Sequence, residues 1–211
     1  MKETLHILAA ILIFTLVAAF SSLLQGNLAH LAIAFLFTTL IILVNIVTKK
    51  GTASLLDANV EHEIWSFSQF GLKPQHHLKK PLPIGILLPL FFSLISLGIL
   101  KIPSLLTYET TPLKRRAAKR FEYYSYSQMT DWHNALIGAS GIIAVLLLSI
   151  IAYFLPYNLE TLAKLGVYYA LVNLIPLSKL DGTQIFFGSR VIYTILLFTT
   201  LIATALTITV S

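Results

Sequence analysis

Few side chains in this 211-residue sequence could do chemistry, and the most conspicuous set closes the stretch NLIPLSKLDGTQIFFGSR, from Asn173 to Arg190. The stretch follows an apolar run long enough to enter a membrane. Yet it brings an Asn, a Pro, a Lys and an Asp-Gly pair together at Asn173, Pro176, Lys179, Asp181 and Gly182. Each is awkward in lipid, where a helix must satisfy its own backbone and a carboxylate is costly. An ionisable residue in such a place is by default a functional candidate, which puts Asp181 first. The same residues also suit a plain turn, since Asp-Gly is a common turn pair and Asn and Pro end helices. Local chemistry leaves both readings open. The remaining candidates for acid–base or metal chemistry are His62-Glu63, His76-His77 in KPQHHLKKP, and the isolated His6, His30 and His133. With no Cys, the chain has no disulfide, thiolate nucleophile or Cys-based zinc site.

The elements that must position these residues are membrane elements. The chain is 56% hydrophobic and 11% charged, with a mean hydropathy of +0.81, whereas soluble domains carry roughly 25% charged residues. The net charge of +6 then points to cytoplasmic loops and anionic head groups. Nucleic-acid binding is the competing reading, disfavoured because these charges flank apolar segments. A bilayer core takes about 20 apolar residues per helix. Candidate spans are Leu5–Leu24, Ala29–Val47 (stopped by Lys49-Lys50), Ala135–Leu155, Thr161–Leu177 and Val191–Val210. The first reads as an anchor rather than a cleaved signal, because no small-residue cleavage site precedes polar sequence and a second span follows at once. All of this makes one membrane-embedded domain, residues 1–211, with 49–80 and 103–132 as polar segments.

A further apolar run, Pro81 to Ile102, contains Pro83, Gly85, Pro89 and Gly98, and proline kinks or breaks a helix interior. If this run crosses the membrane, the fifteen Lys and Arg divide almost evenly between the two sides. If it dips in and returns, all but Lys164 fall on one side. The positive-inside rule prefers the second arrangement: five spans plus a re-entrant segment, cytoplasmic N-terminus, basic loops cytoplasmic. A segment lying on the surface gives the same count.

Asn173-x-x-Pro176-x-x-x-Leu180-Asp181-Gly182 resembles the Asn-Pro-Asp-Gly motif of the site-2 protease family of intramembrane zinc metalloproteases. Ile137–Ser149, IGASGIIAVLLLS, is more weakly similar to that family's Ala-Gly-Pro-x-x-Asn helix start, with Ser140-Gly141 for Gly-Pro and Ala144 for Asn. The re-entrant run fits the archaeal branch. The resemblance implies an all-α polytopic fold with a site-2 protease core. It also implies Asp181 as third zinc ligand, and Asn173, Pro176 and Gly182 shaping a partly unwound segment where substrate is held.

That family also carries His-Glu-x-x-His. The spacing puts two imidazoles on one helix face around Zn2+, with the Glu beside the metal-bound water as general base, and the Asp completes three protein ligands. The corresponding second span has no His or Glu after His30. The nearest match is His62-Glu63-Ile64-Trp65-Ser66, with Ser where the second His belongs. His62 as metal ligand and Glu63 as base compete with their reading as the polar face of an interfacial helix, Ile64, Trp65 and Phe67 dipping into lipid. His76 or His77 could join His62 and Asp181 only from an irregular loop, since adjacent residues point apart. The basic, aromatic stretch from Leu113 to Trp132 reads as a polybasic segment at anionic lipid rather than a single-strand nucleic-acid platform. Gly138, Ala139, Ser140 and Gly141 permit close helix packing.

The expected function is therefore a degenerate site-2 protease relative, binding transmembrane segments of other proteins without zinc chemistry. An active zinc endopeptidase with an unusual ligand set is the alternative. A small transporter would need more than one buried ionisable group, and the spans offer almost none. Cysteines introduced at Lys80 and Lys114 are expected to react with impermeant reagents from the cytoplasmic side only; labelling from opposite sides would exclude the re-entrant arrangement.

Overall fold

The structure is a computed structural model and describes residues 2–69, 77–103, 105–114, 129–155 and 159–209. In chain order come helices α1 (Lys2–Leu24) and α2 (Leu28–Leu55), then strands β1 (Ala58–Ile64), β2 (Phe67–Gln69) and β3 (His77–Leu82). They are followed by α3 (Ile84–Ile95), β4 (Leu106–Pro112), α4 (Asp131–Phe154), α5 (Glu160–Asn173), α6 (Asp181–Gly188) and α7 (Arg190–Thr209). Most of the basic stretch 113–132, and His76, lie outside the described residues.

Helices dominate because a backbone in lipid must bond within its own segment. α1, α2, α4 and α7 are long and apolar enough to cross a membrane. They leave Leu8, Leu36, Ile151 and Phe198 exposed, an apolar surface that lipid covers. The central helix is α4, packed against α2, α5 and α6, while α1 packs on α2. Phe14, Ile41, Ile42, Val145, Leu165 and Tyr169 form the main core, and the Thr15 and Thr38 hydroxyls meet at 2.8 Å between α1 and α2.

The mostly helical chain with four long apolar helices agrees with the expected all-α membrane protein, and three details differ. First, two small antiparallel pairs are added: β1 pairs with β4, Ala58 opposite Pro112 through Ile64 opposite Leu106, and β2 pairs with β3. His62 to Ile64 thus lie in a strand, not an interfacial helix. Ala58, Val60 and His62 alternate inward against exposed Asn59, Glu61 and Glu63, the period of two that a half-buried strand requires. Second, α2 runs through Lys49-Lys50 to Leu55. The helix continues because Lys49 falls on its buried face with Ile41, Ile42, Asn45 and Ala53, so that Lys is interior and not a membrane stop. Third, the span expected over 161–177 is cut short. α5 has 14 residues, about 21 Å against a hydrocarbon core of about 30 Å, and irregular backbone follows it.

The run from Pro81 to Ile102 goes out and comes back. Its base is closed by three backbone bonds: Gly85 N–H to Trp65 C=O at 2.9 Å, Trp65 N–H to Leu105 C=O at 3.0 Å, and Leu105 N–H to Gly85 C=O at 3.2 Å. At its tip the helix ends on left-handed Leu97 and Gly98, with Gly98 N–H reaching Ser93 C=O at 2.8 Å, a glycine-type helix terminus. A Cβ on Gly98 would sit 2.8 Å from Ser21 N, so the tip lies against the far end of α1 and the base near its start. The outward helix covers roughly 20 Å. One cation moves as a result. Lys101, counted on the cytoplasmic side with every Lys and Arg but Lys164, is instead three residues past the tip at Gly98.

Closing this hairpin requires glycine at position 85, where a Cβ would approach Leu105 O to 2.4 Å. Gly85→Ala is expected to lower stability in detergent by about 1–3 kcal/mol. Gly51→Ala, in the exposed part of α2 with open space around it, should raise it by up to about 1 kcal/mol. Thermal unfolding of both variants checks the contrast.

Candidate functional site

The candidate site lies where α2, α6, α4 and β4 converge. On α2, Asn45 and Lys49 are one turn apart on the buried face. Counting from Leu28, Lys49 is about 32 Å along the helix, close to where a hydrocarbon core would end. Beside it Lys50 turns outward and pairs with Glu3 at 2.7 Å. The side chain of Lys49 does the opposite: it is 1% exposed, and its Nζ lies 2.6 Å from Oδ2 of Asp181, itself 0% exposed.

Asp181 reaches this place because the chain breaks before it. α5 ends at Asn173, and Pro176, lacking an N–H, cannot extend the helix. The segment from Leu174 to Leu180 is held by short-range bonds such as Leu180 N–H to Leu177 C=O at 3.1 Å, with Ser178 at φ +51°. α6 then starts at Asp181, so the carboxylate stands at a helix N-terminus, the end that favours negative charge. Gly182 is required by contact: a Cβ there would lie 2.1 Å from Leu174 O. The start of α6 is thus pressed against the chain just past the end of α5. Asn173 is buried and donates from Nδ2 to Tyr169 C=O at 2.9 Å, while its Oδ1 has no partner. Pro176, by contrast, is on the exposed side of the break with Ile175 and Leu177.

Two glycines of α4 make room for the site. A Cβ on Gly141 would lie 2.7 Å from both Asn45 Nδ2 and Lys49 Cε, and one on Gly138 would lie 2.6 Å from Tyr108 Oη. The small-residue stripe thus accommodates polar side chains as well as close packing. Tyr108, from β4, places its ring 4.6 Å from Lys49 Nζ, a cation–π contact in a desolvated setting. Its hydroxyl donates to Asn134 C=O at 2.6 Å. Burial, and then the charge of Asp181, push the Tyr108 phenol well above its usual range, so it remains a neutral donor. Gln184 of α6 donates to Tyr108 C=O at 3.1 Å, and the exposed pair Lys179–Glu109, at 2.8 Å, ties the break to β4.

The sequence candidates separate in this geometry. His62 lies opposite Tyr108 on β1, fully buried, with Nδ1 3.2 Å from the Glu3 carboxylate and its backbone N–H donating to the same oxygen at 3.3 Å. Burial, and next the charge of Lys49, lower its pKa to about 4. Near neutral pH the imidazole is therefore uncharged, with its proton toward Glu3 and a buried Nε2 that has no partner. Glu63, next in the strand, is on the opposite, exposed face; a strand parts adjacent side chains. His133 lies in the first turn of α4, where its backbone N–H donates to the capping Thr130 hydroxyl. Among the described residues, no three His, Cys, Asp or Glu side chains gather as a metal site.

Lys49, Asn45 and Tyr108 escaped the sequence reading. Two signals could have found Lys49: its place on the period-3.6 stripe of Ile41, Ile42, Asn45 and Ala53, and the need of any buried carboxylate for a partner. Comparison of the chain with protein-family models, curated proteins and solved structures gives no match.

Removing one partner of a buried pair leaves an uncompensated charge, which typically costs about 3–5 kcal/mol, whereas replacing both by apolar groups is often near neutral. Lys49→Met is expected to show that loss and Lys49→Met/Asp181→Leu to recover most of it. Lys179→Met, which breaks the exposed pair, should cost less than about 1 kcal/mol. Unfolding of the three variants in detergent forms the test.

Proposed function

We propose that this chain is a multi-pass membrane protein of site-2 protease type in which an ion pair occupies the place of the metal, and that it binds transmembrane segments without cleaving them. The observation that carries this reading is the Lys49–Asp181 pair. On α2, residues 45, 46 and 49 have the spacing of the first His, the Glu and the second His in His-Glu-x-x-His. Here they are Asn45, Ile46 and Lys49, and the last of them faces the Asp of the Asn-Pro-Asp-Gly pattern. An ammonium supplies the positive charge that the carboxylate needs and cannot polarise a water molecule as zinc does. The donor set does not suit zinc: Asp181 already faces a cation, His62 is bound to Glu3, and Glu63 is turned away.

What remains suits a partner with unmet backbone groups. The Asn173 oxygen is buried without a donor, beside a break that exposes Ile175 and Leu177. A transmembrane segment that has itself locally unwound offers N–H groups to such an oxygen and apolar side chains to the break.

A second reading, a small transporter, gains from the same pair, since Lys49 with Asp181 supplies the buried ionisable groups that the spans were expected to lack.

The experiments separate the readings. Asn173→Ala or Pro176→Leu should weaken co-purification of client membrane helices while the protein still inserts and folds, and Asp181→Ala should weaken it less. Retention of every partner by both motif variants would remove the binding role. Zinc should be substoichiometric in protein purified without chelator. A full equivalent lost on Asp181→Ala or His62→Ala would establish the active endopeptidase instead, and proton uptake into vesicles abolished by Lys49→Met would establish transport.

A further inference from the structure

The start of α4 and the adjoining α6 frame a polar cavity that contains neither ion of the Lys49–Asp181 pair. Its volume is about 260 Å³, and it is lined by Asp131 and Asn134 of α4 and by Thr183, Gln184 and Phe187 of α6. The two helices are pressed together beside it, since a Cβ on Gly188 would lie 2.2 Å from the Asp131 carbonyl oxygen. A water molecule's share of volume is about 30 Å³, so the cavity holds more than one bridging water.

The side chains that line it are short of donors. Gln184 donates its amide N–H to Tyr108 C=O at 3.1 Å, which leaves its Oε1 unengaged among the described residues. Thr183 Oγ1 is buried and has no partner. The carboxylate of Asp131 forms no ion pair with the described residues. Asn134 is held from β4: its Oδ1 accepts from Thr110 at 2.7 Å, and its backbone carbonyl accepts from Tyr108 Oη at 2.6 Å. A first-turn Asp also suits the dipole of α4, but that role makes no use of Thr183 or Gln184.

An anionic group and two unmet oxygens call for a cation rich in donors. The two Asp131 oxygens, Gln184 Oε1 and Thr183 Oγ1 exceed the three donors of an ammonium and suit the planar, five-donor fork of a guanidinium. Phe187, 74% exposed, adds a ring face on which a guanidinium stacks better than a strongly hydrated ammonium. Position suggests a source. Asp131 opens a helix long and apolar enough to cross a membrane, with Trp132 exposed beside it. Such a boundary is where Lys and Arg flank the apolar runs of membrane segments.

We propose that this cavity is a binding site for one guanidinium group. Asp131 pairs with its fork, Thr183 and Gln184 accept from its remaining N–H groups, and Phe187 covers its face. The site is independent of the Lys49–Asp181 pair and of any reading of it.

The test uses the full chain, purified in an uncharged detergent and titrated by calorimetry. One set of ligands is N-acetylarginine amide, N-acetyllysine amide and N-acetylglutamine amide. The other is a single apolar transmembrane peptide flanked at one end by Arg, Lys or Gln in turn. In at least one set, the Arg form should bind about tenfold more tightly than the Lys and Gln forms, the usual worth of charge-assisted hydrogen bonds. Preference among the free amides alone supports the site with a small-molecule source, and preference among the peptides supports it with a membrane segment. Asp131→Asn should reduce the Arg form to the level of the Gln form. Thr183→Val, which removes only an unpaired hydroxyl, should weaken the Arg form a few-fold, about one hydrogen bond, without changing the melting temperature. Equal binding of Arg and Lys forms in both sets, no preference for Arg in either, or a preference that survives Asp131→Asn would overturn the proposal. If Asp131→Asn does not fold, Thr183→Val decides alone, and unchanged binding of the Arg form overturns the proposal.

Discussion

The rest of the structure is organised around one constraint: a carboxylate and an ammonium, Asp181 and Lys49, are held 2.6 Å apart with almost no exposure to solvent. Neither ion is tolerated alone in such a place, because desolvating a single charge costs several kcal/mol. The pair therefore requires α2 and α6 to stay in contact. Its neighbours follow from that requirement. Gly138 and Gly141 lack the Cβ atoms that would collide with Tyr108, Asn45 and Lys49, and Gly182 lets the α6 N-terminus approach the Leu174 carbonyl. Tyr108 covers the ammonium from the sheet side and is itself fixed to Asn134.

The sheet and the hairpin form the second level of this arrangement. β4 carries Tyr108 into the site, and β1 carries His62 to the far side of it, where Glu3 binds both the imidazole and Lys50. The start of α1, the end of α2 and the sheet are thereby joined by charged groups. From the end of β3 the chain enters the hairpin, whose base is hydrogen-bonded onto Trp65, just past β1, and whose tip rests on α1. The backbone groups at its base and tip are thus satisfied within the protein, the condition under which non-helical backbone is tolerated at membrane depth.

A buried ion pair is not efficient as a stabiliser; apolar residues of similar volume often do as well or better. In the reading proposed above, it is what remains when a site built for a charged centre loses that centre and keeps its carboxylate. In the proposed reading, Lys49 neutralises Asp181 from the helix that would otherwise supply imidazoles, and the broken helix beside it persists because its polar backbone still has uses.

By itself, the sequence determined the long helices, because apolar runs of that length have one stable form in lipid, and it marked the break at Asn173–Asp181, because Pro and Gly are locally decisive. The return of the Pro81–Ile102 run was visible in its prolines and in the distribution of Lys and Arg. The strands were not, since seven residues with two acids and a His read equally as a helix face, and only pairing with β4 fixes the period of two. Nor was the site. Lys49 and Lys50 are the same residue type in adjacent positions. One is interior and one faces outward only because successive residues on a helix point about 100° apart, and the packed α4 and α6 cover one of those directions. The stripe on α2 could have marked Lys49 as buried, but its contact with residue 181 is a property of that packing.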